Sequence, residues 1–458
     1  MTSREPHNRA SIPLLDRAET PLYVVDAGRE IAFANDSLAD WVGAEIGAIL
    51  GSRVEYHAAA AAAGKALFTG LCPSPRAMAG SEVVGTISTV SRNGRLRQRR
   101  ARFVPLADRG SIGGDAVETS VLVIAERADL TSVQVAELVG GGTPDGLHAA
   151  LRRFRAERAA GTPLALLGVS PTTVSLRARF DAAAASGCNA LVAGGTRADR
   201  IDLAEALHDA TASQAPQRGV PAQLVPLDGV LAGHEELSEA TERLASTGAS
   251  TTLLLIDADR LPRDLQASLA SHLGGGLRSR VLATVDDPKA SLPVELESIV
   301  GTVRLDLVTL AERRSDLPLL VQYFVEQQNA ESGKQVAGIA DDAMERLSIY
   351  PFRNIDQLRS MVAAGHRSCR NAVIARGDLP PTVEQAALAA ELSQPEERLD
   401  LDQLLADVER EVVKRALDRA RDNKAEAARL LGLTRQRFYR LLERINEAPA
   451  DAPGEAVR

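Results

Sequence analysis

Between residues 163 and 316 the chain repeats one pattern, a short apolar run of strand length followed by a longer stretch with helical spacing. The runs are Ala190-Leu191-Val192-Ala193, Leu224-Val225-Pro226-Leu227, Thr252 to Ile256 and Val281-Leu282-Ala283-Thr284. Strands that alternate with helices pair side by side in a parallel sheet, so this stretch is expected to be α/β. From Leu317 to Thr382 the pattern turns helical, with Leu319, Leu320, Tyr323, Phe324, Met344, Leu347, Ile355, Leu358, Met361 and Val362 as its apolar markers. One such unit does not use up 458 residues. At about 150 residues per domain, roughly three domains are expected.

The first segment reads differently. Leu22 to Asp26 and Ile31 to Ala34 form a strand pair around the turn Ala27-Gly28-Arg29-Glu30, and Asn35-Asp36 supply cap chemistry for a helix with Leu38, Trp41 and Val42 at helical spacing. Further strands are expected at Val83 to Val90, Leu96 to Leu106 and Thr119 to Ala125. Tyr23 through Gly43 resembles the opening of a PAS domain, which implies a small α+β module that binds a small molecule or simply dimerises. No residue fixes a ligand for it. Gly140 to Pro144 and a basic helix from Leu151 to Ala160 are expected to separate this unit from the next.

Composition narrows the setting. A hydrophobic fraction of 45% with 25% charged residues is that of a folded, water-soluble chain. The apolar runs Val121 to Ala125 and Leu253 to Ile256 fall far short of the about 20 residues that span a bilayer, and a cytoplasmic protein without membrane contact is expected. Cys72, Cys188 and Cys369 show no metal-site spacing and are expected to be buried free thiols. No metal site and no catalytic residue is identified. A net charge of −8 means that any nucleic-acid surface has to be local.

Three pieces of the middle region, in order, resemble the AAA+ domain of NtrC-type activators, which act on RNA polymerase carrying the alternative sigma factor. They are Leu167 to Pro171 before a long helix, Leu253-Leu-Leu-Ile-Asp257 with Leu261-Pro262 and Leu265-Gln266 after it, and Leu310 to Pro318; Tyr350 to Leu358 follows where the family has a further motif. The resemblance implies a nucleotide site at Gly194, Gly195, Arg200 and Asp257. A phosphate loop needs glycines whose N–H groups can surround phosphate and a Lys to neutralise it. Here Arg200 falls at the Lys position, Arg197 and Asp199 replace glycines, and Ile201 stands where a polar residue is usual. Ala258 replaces the family's water-orienting Glu, Val285 its sensor Asn and Asp356 its sensor Arg. The expectation is a degenerate AAA+ domain that is not an enzyme and takes no cofactor, with ATP binding no more than vestigial. From Gly233 the chain runs as one helix toward Thr251, without the family's sigma-contacting loop, so direct contact with that sigma factor is not expected.

The C-terminal end carries the most specific signal. Leu401, Leu404, Leu405, Val408, Val412, Ala416, Leu417 and Ala420 form one helical stripe. Asn423 then caps a short helix from Lys424 to Leu431, Gly432 closes it, and Thr434 caps a second helix that places Phe438, Leu441, Leu442 and Ile445 on its buried face. Two short helices around a glycine turn are helix-turn-helix geometry, and Ala427 and Ala428 permit close crossing. Arg435, Gln436, Arg437, Tyr439, Arg440 and Arg444 lie on the other face. From Lys424 to Arg444 six basic residues face Glu426 and Glu443, a local charge of +4. Arg suits guanine and phosphate, and Gln suits adenine. The segment closely resembles the Fis-type domain, which implies a homodimer or higher oligomer on double-stranded DNA, with Lys424, Thr434, Arg435, Gln436, Arg437, Tyr439, Arg440 and Arg444 as the contact set.

The expected architecture is multidomain α/β: a PAS-like α+β domain (12–127), a degenerate AAA+ parallel α/β domain (145–316) with a helical lid-like subdomain (317–385), an all-α Fis-type helix-turn-helix (399–446) and a disordered tail (447–458). The expected function is that of a DNA-binding transcription regulator whose AAA+ part serves assembly or signal transmission. The competing readings are an ATP-dependent sigma-54 enhancer-binding activator with unusual motifs and a non-specific nucleoid-associated protein.

Overall fold

The computed structural model describes residues 13–57, 68–106 apart from 92 and 94, 119–137 apart from 132, 133, 135 and 136, 142–157, 162–214, 223–247, 251–275, 279–393, and 412–447 apart from 414, 418, 421 and 422. It divides into two compact units, residues 1–387 and 388–458.

The first unit begins with β1 (Leu22–Val25), β2 (Ile31–Ala34), α1 (Asp36–Val42), β3 (Val83–Val90), β4 (Leu96–Leu106) and β5 (Ser120–Ala125). The five strands form an antiparallel sheet in the order β2-β1-β5-β4-β3. Asn35 caps α1 as its type predicts, and its side chain also accepts from the Leu22 N–H, so one buried amide ties helix to strand. Tyr23, Leu38, Trp41, Ile87, Phe103 and Val123 fill the core on one side. This is the expected PAS-like module.

Helix α2 (Pro144–Glu157) is where the expected separator lies, and it is no linker. Asp145, Leu147, His148, Ala149 and Leu151 are all buried, which happens when a helix is covered on more than one side. Leu147 and Leu151 join the core of the helical subdomain, while Gln98 of β4 donates to the Ala149 carbonyl at 3.0 Å. Its polar residues are paired within the fold. His148 Nδ1 lies 2.7 Å from Glu326, its ring stacks on Tyr56 at 4.0 Å, and the Tyr56 hydroxyl lies 3.2 Å from Asp145. Burial alone would raise Glu326, but the neighbouring His148, Gln322 and Arg152 hold it below the usual carboxylate range. Asp145 goes the other way, raised by burial.

The α/β part follows as α3 (Pro171–Ser186), β6 (Ala190–Gly194), α4 (Arg197–Gln214), β7 (Gln223–Asp228), α5 (His234–Thr247), β8 (Thr251–Ile256), α6 (Arg263–Gly274), β9 (Arg280–Val285), α7 (Val294–Val300) and β10 (Val303–Leu307). The sheet order is β10-β6-β9-β8-β7, every neighbour parallel. All four expected strands are present, and β8 is buried at every residue. One core lies on each face of the sheet.

The helical subdomain comprises α8 (Leu317–Ser332), β11 (Gly338–Ile339), α9 (Asp341–Ile349), α10 (Ile355–Ser368), β12 (Val373–Ile374) and α11 (Pro381–Ser393). Phe324, Leu320, Leu347, Leu358 and Val362 occupy its centre, the markers read from the sequence. Helix α11 continues to Ser393, past residue 385 where the subdomain was expected to end. Cys72 and Cys369 are buried free thiols, but Cys188 is only partly buried. None of the described helices is long and apolar enough to cross a membrane.

The second unit contains α12 (Lys424–Leu430) and α13 (Arg435–Glu447). The stripe from Leu401 to Val408 and the tail from Pro449 lie outside the described residues. Of its later members, Val412 is 44% exposed with Val413 buried instead, while Ala416 is buried and Leu417 and Ala420 pack against the same core.

Candidate functional site

Two sites emerge, one in each unit. In the second unit, Asn423 caps α12 through its side chain, which accepts from the N–H groups of Ala425 and Glu426 at 3.2 and 3.3 Å. Gly432, at φ +65°, turns the chain in the left-handed conformation that closes the helix. The N–H of Leu433 donates to Ala428 O at 2.9 Å, and α13 starts two residues later, with Thr434 accepting from Arg437 N–H at 3.4 Å. Ala427, Ala428 and Phe438 are almost fully buried against one another, with Val413 and Ala416. Small side chains on α12 admit the Phe438 ring, and that contact fixes the crossing of the two helices.

With Phe438 turned inward, the opposite face of α13 is set. Arg435, Gln436, Arg437, Tyr439 and Arg440 are all exposed, as are Thr434 and Lys424. Lys424 Nζ lies 5.9 Å from the Tyr439 ring centroid, so the face is joined to the start of α12 by a cation–π contact. Arg429 pairs with Glu426 on its own helix and is not part of the row. Leu442 is partly buried, while the side chains of Leu441, Arg444 and Ile445 lie outside those described. Seven of the eight expected contact residues are therefore exposed on the two helices and the turn between them. The exposed face of α13 is cationic, with no acidic residue in its first turn, and suited to phosphate and base edges.

In the first unit, the carboxyl ends of β6, β9, β8 and β7 lie side by side, the edge at which open parallel sheets hold ligands. Gly194, Gly195, Arg200 and Asp257, named from the sequence, come together there. Arg200 is only 2% exposed. Its Nη1 donates to Gly194 O at 3.3 Å, Gly195 O at 3.1 Å and Asp286 Oδ1 at 2.9 Å, and its Nη2 donates to Asp257 Oδ1 at 2.8 Å. Arg197 bridges Asp257 and Asp228. Desolvation opposes it, but hydrogen bonding to Asp228 and the charge of Asp257 push the Arg197 guanidinium up. Arg260 reaches Asp286 at 3.2 Å. Asp199 turns back to its own loop, accepting from Thr196 Oγ1 at 2.7 Å.

The glycines have a packing reason of their own. A side chain on Gly194 would meet Leu307 O at 2.7 Å and one on Gly195 would meet the Leu307 side chain at 3.0 Å, and both sit at positive φ. A loop that could cradle phosphate with its N–H groups instead turns carbonyls onto the Arg200 guanidinium. In the arrangement seen, the space beside the loop is occupied by side chains of the chain itself, with Arg197 and Arg200 engaged by its own carboxylates and carbonyls. Asp228 and Asp286 were missed in the sequence. The signal was there, because Asp stands at the carboxyl end of each of these strands: Asp228 closes β7, and Asp257 and Asp286 directly follow β8 and β9.

A third carboxylate cluster turns out to be structural. Asp316, from the Leu310 to Pro318 motif, is fully buried and receives the N–H groups of Val169 and Ser170, both at 2.6 Å. It also receives the hydroxyls of Ser170 at 2.7 Å and Thr173 at 2.5 Å. It thereby fixes the start of α3 to the start of α8.

Comparison with known proteins places these parts. Residues 311–396 match the AAA+ ATPase lid domain, and residues 404–444 match the bacterial regulatory protein Fis family. The response regulator protein PilR of Pseudomonas aeruginosa is 28% identical over 315 residues, covering 60% of this chain and 68% of PilR. The transcriptional regulatory protein ZraR of Escherichia coli is 32% identical over 146 residues, 32% of either chain, so that alignment spans about a third of the relative. NtrX from Brucella abortus, solved in complex with ADP, is a loose structural likeness at 20% identity and a TM-score of 0.38, covering 68% of this chain and 75% of that one. A PAS domain from a two-component sensor histidine kinase covers 26% of this chain and 90% of its own, at 10% identity and a TM-score of 0.19.

Two expectations are corrected by these matches. The substituted motifs suggested that the chain is not an enzyme, yet residues 311–396 match the AAA+ ATPase lid domain, which conflicts with that expectation. The expectation of no cofactor falls with it, and ATP is the ligand that module implies. The substitutions sit at single positions of the loop, whereas the match to the module lies in the lid, whose apolar markers are legible in the sequence. In these parts the chain resembles the NtrC-type, sigma-54 class of regulators, joining a PAS-like domain, a region that matches the AAA+ lid and a Fis-type helix-turn-helix.

Proposed function

We propose that the chain regulates transcription in the cytoplasm by binding double-stranded DNA as a homodimer or higher oligomer. Its contact set is Lys424, Thr434, Arg435, Gln436, Arg437, Tyr439, Arg440 and Arg444, and its PAS-like and AAA+ parts serve assembly or signal transmission. One observation carries this reading: Phe438 locks α13 onto Ala427 and Ala428, leaving a row of exposed Arg and Gln on the other face. A helix presented this way enters a major groove with its N-terminal residues toward the bases. Between Gly233 and Thr247 the chain forms the helix α5, and the proposal routes action through DNA rather than through a sigma-contacting loop.

The test is a gel-shift titration at several salt concentrations. Arg435→Ala should weaken binding and, if Arg435 contacts phosphate, lower the salt slope by about one. Unchanged affinity and slope at all salts would remove Arg435 from the interface.

The match to an ATPase lid favours a second reading for the AAA+ part, an ATP-driven sigma-54 enhancer-binding activator with unusual motifs. Magnesium-dependent ATP turnover that Asp257→Ala abolishes supports it. The nucleotide site in either reading is Gly194, Gly195, Arg200 and Asp257.

A further inference from the structure

The ion pairs at the carboxyl end of the parallel sheet form one continuous circuit that runs from Asp228 to Arg260. Arg197 spans Asp228 and Asp257, Arg200 spans Asp257 and Asp286, and Arg260 adds to Asp286, so three cations meet three carboxylates. The circuit reaches across four strands and stands where an AAA+ module would place the phosphates of its nucleotide. A self-neutralised site offers a triphosphate no net attraction. Its two arginines differ, however. Arg200 is sealed in, whereas the Arg197 side chain is 41% exposed, stands on the first turn of α4 and is held only by the two carboxylates. Exposed ion pairs are weak and exchange partners readily. The closed state also leaves a donor unmet, since Arg200 Nε is buried without a hydrogen-bond partner. Buried donors of that kind are uncommon and costly.

We propose that this circuit is a latch that closes the nucleotide site of the AAA+ module from within. Arg197 is its movable arm, and a nucleoside triphosphate enters when its phosphate oxygens take the arginines from Asp228, Asp257 and Asp286. The three released carboxylates then face an anion, so the triphosphate enters with its divalent cation. Arg200 Nε gains the acceptor it lacks. The substitutions that look like decay in the phosphate loop are, on this view, parts of a gate: Arg197 in place of glycine is the arm, and Arg200 in place of Lys is a longer, forked group able to hold two carboxylates at once.

This inference rests on the reading that ATP binds at Gly194, Gly195, Arg200 and Asp257. The experiment measures binding of the fluorescent analogue mant-ATP, with magnesium, to the full chain and to two variants, Arg197→Ala and Asp228→Asn. Circular dichroism establishes that each variant is folded. Both variants remove one side of the same arm, the second without touching an arginine. The expected result is that both bind mant-ATP at least tenfold more tightly than the parent and that chelating magnesium abolishes the gain. Equal affinity in all three proteins would overturn the latch while leaving the nucleotide site standing. Weaker binding by Arg197→Ala would overturn it too, making Arg197 a phosphate contact. No binding by any of the three would overturn the nucleotide reading itself, and the latch with it.

Discussion

Replacing Asp316 should be among the most damaging single changes in the first unit, although Asp316 lies outside both candidate sites. Its carboxylate receives four hydrogen bonds, two of them from backbone N–H groups of Val169 and Ser170 that have no helix to satisfy them. In Asp316→Ala those two N–H groups lose their acceptor, the Ser170 one buried and the Val169 one part-buried, at about 1–3 kcal/mol each, while the Ser170 and Thr173 hydroxyls can rotate to other acceptors. The sum is about 4 kcal/mol. Asp316→Asn keeps one oxygen for the two N–H groups and turns a donor toward the hydroxyls, so about half that loss is expected. For a unit of this size each kcal/mol moves the melting temperature by about 2–4 °C. The alanine variant should therefore melt about 8–16 °C lower and the asparagine variant about 4–8 °C lower, followed by far-UV circular dichroism of the full chain. Gly168→Ala should act in the same direction, because its new Cβ would stand 2.3 Å from the Asp316 Cγ. A shift under about 2 °C for Asp316→Ala, or an asparagine variant worse than the alanine one, would refute the assignment of its role.

Three further outcomes are expected. His366 is 1% exposed and held down to about 4 by burial and by the nearby Lys334 charge, so between pH 6.5 and 4 the unfolded chain binds a proton that the folded one refuses. Its contribution is complete above pH 6.5 and is lost as pH falls, about 2 kcal/mol by pH 5; urea midpoints at pH 7 and 5 should converge in His366→Asn, and an unchanged pH dependence would count against it. Phe438→Ala should cost about 3–5 kcal/mol and unfold the small terminal core, abolishing the gel shift together with helical signal; Arg435→Ala should lose the shift with the helical signal intact. Gly194→Ala should destabilise the α/β part, since φ +79° and the Leu307 carbonyl at 2.7 Å both oppose a side chain; a melting curve identical to the parent's would show that the loop relaxes freely.

What could be read in advance follows the range of the interactions involved. The helix-turn-helix was legible because its determinants are local: a capping Asn423, a turn at Gly432, small residues at 427 and 428 and one aromatic ring ten residues on. The apolar strands β6, β8 and β9 were legible because both faces are covered and the runs are unbroken. Strand β10 escaped notice because Val303-Arg304-Leu305-Asp306-Leu307 alternates, with Arg304 Nε and Asp306 paired at 2.7 Å on the outer side of an edge strand. Helix α2 was misread for a related reason. The partners of its Asp145, His148 and Arg152, namely Tyr56, Glu326 and His57, lie 89, 178 and 95 residues away in the sequence. At the nucleotide site the substitutions at 197, 199, 200 and 201 were visible. That Arg197 and Arg200 would be answered by Asp228, Asp257 and Asp286 depends on strand order, which no local pattern contains.

Helix α2 also bears on how this chain can be divided for study. A fragment begun at residue 145, where composition alone would place the start of the α/β part, keeps Glu326 and Asn329 but discards Tyr56, whose carbonyl accepts from Asn329 at 2.9 Å and whose ring covers His148. A fragment ended just before that helix bares Val83 to Val90 and Gln98 on the sheet face the helix covers. Either cut exposes apolar surface and strands buried charge, so such pieces should aggregate where the joined pair stays in solution. The first 387 residues are best handled as one object.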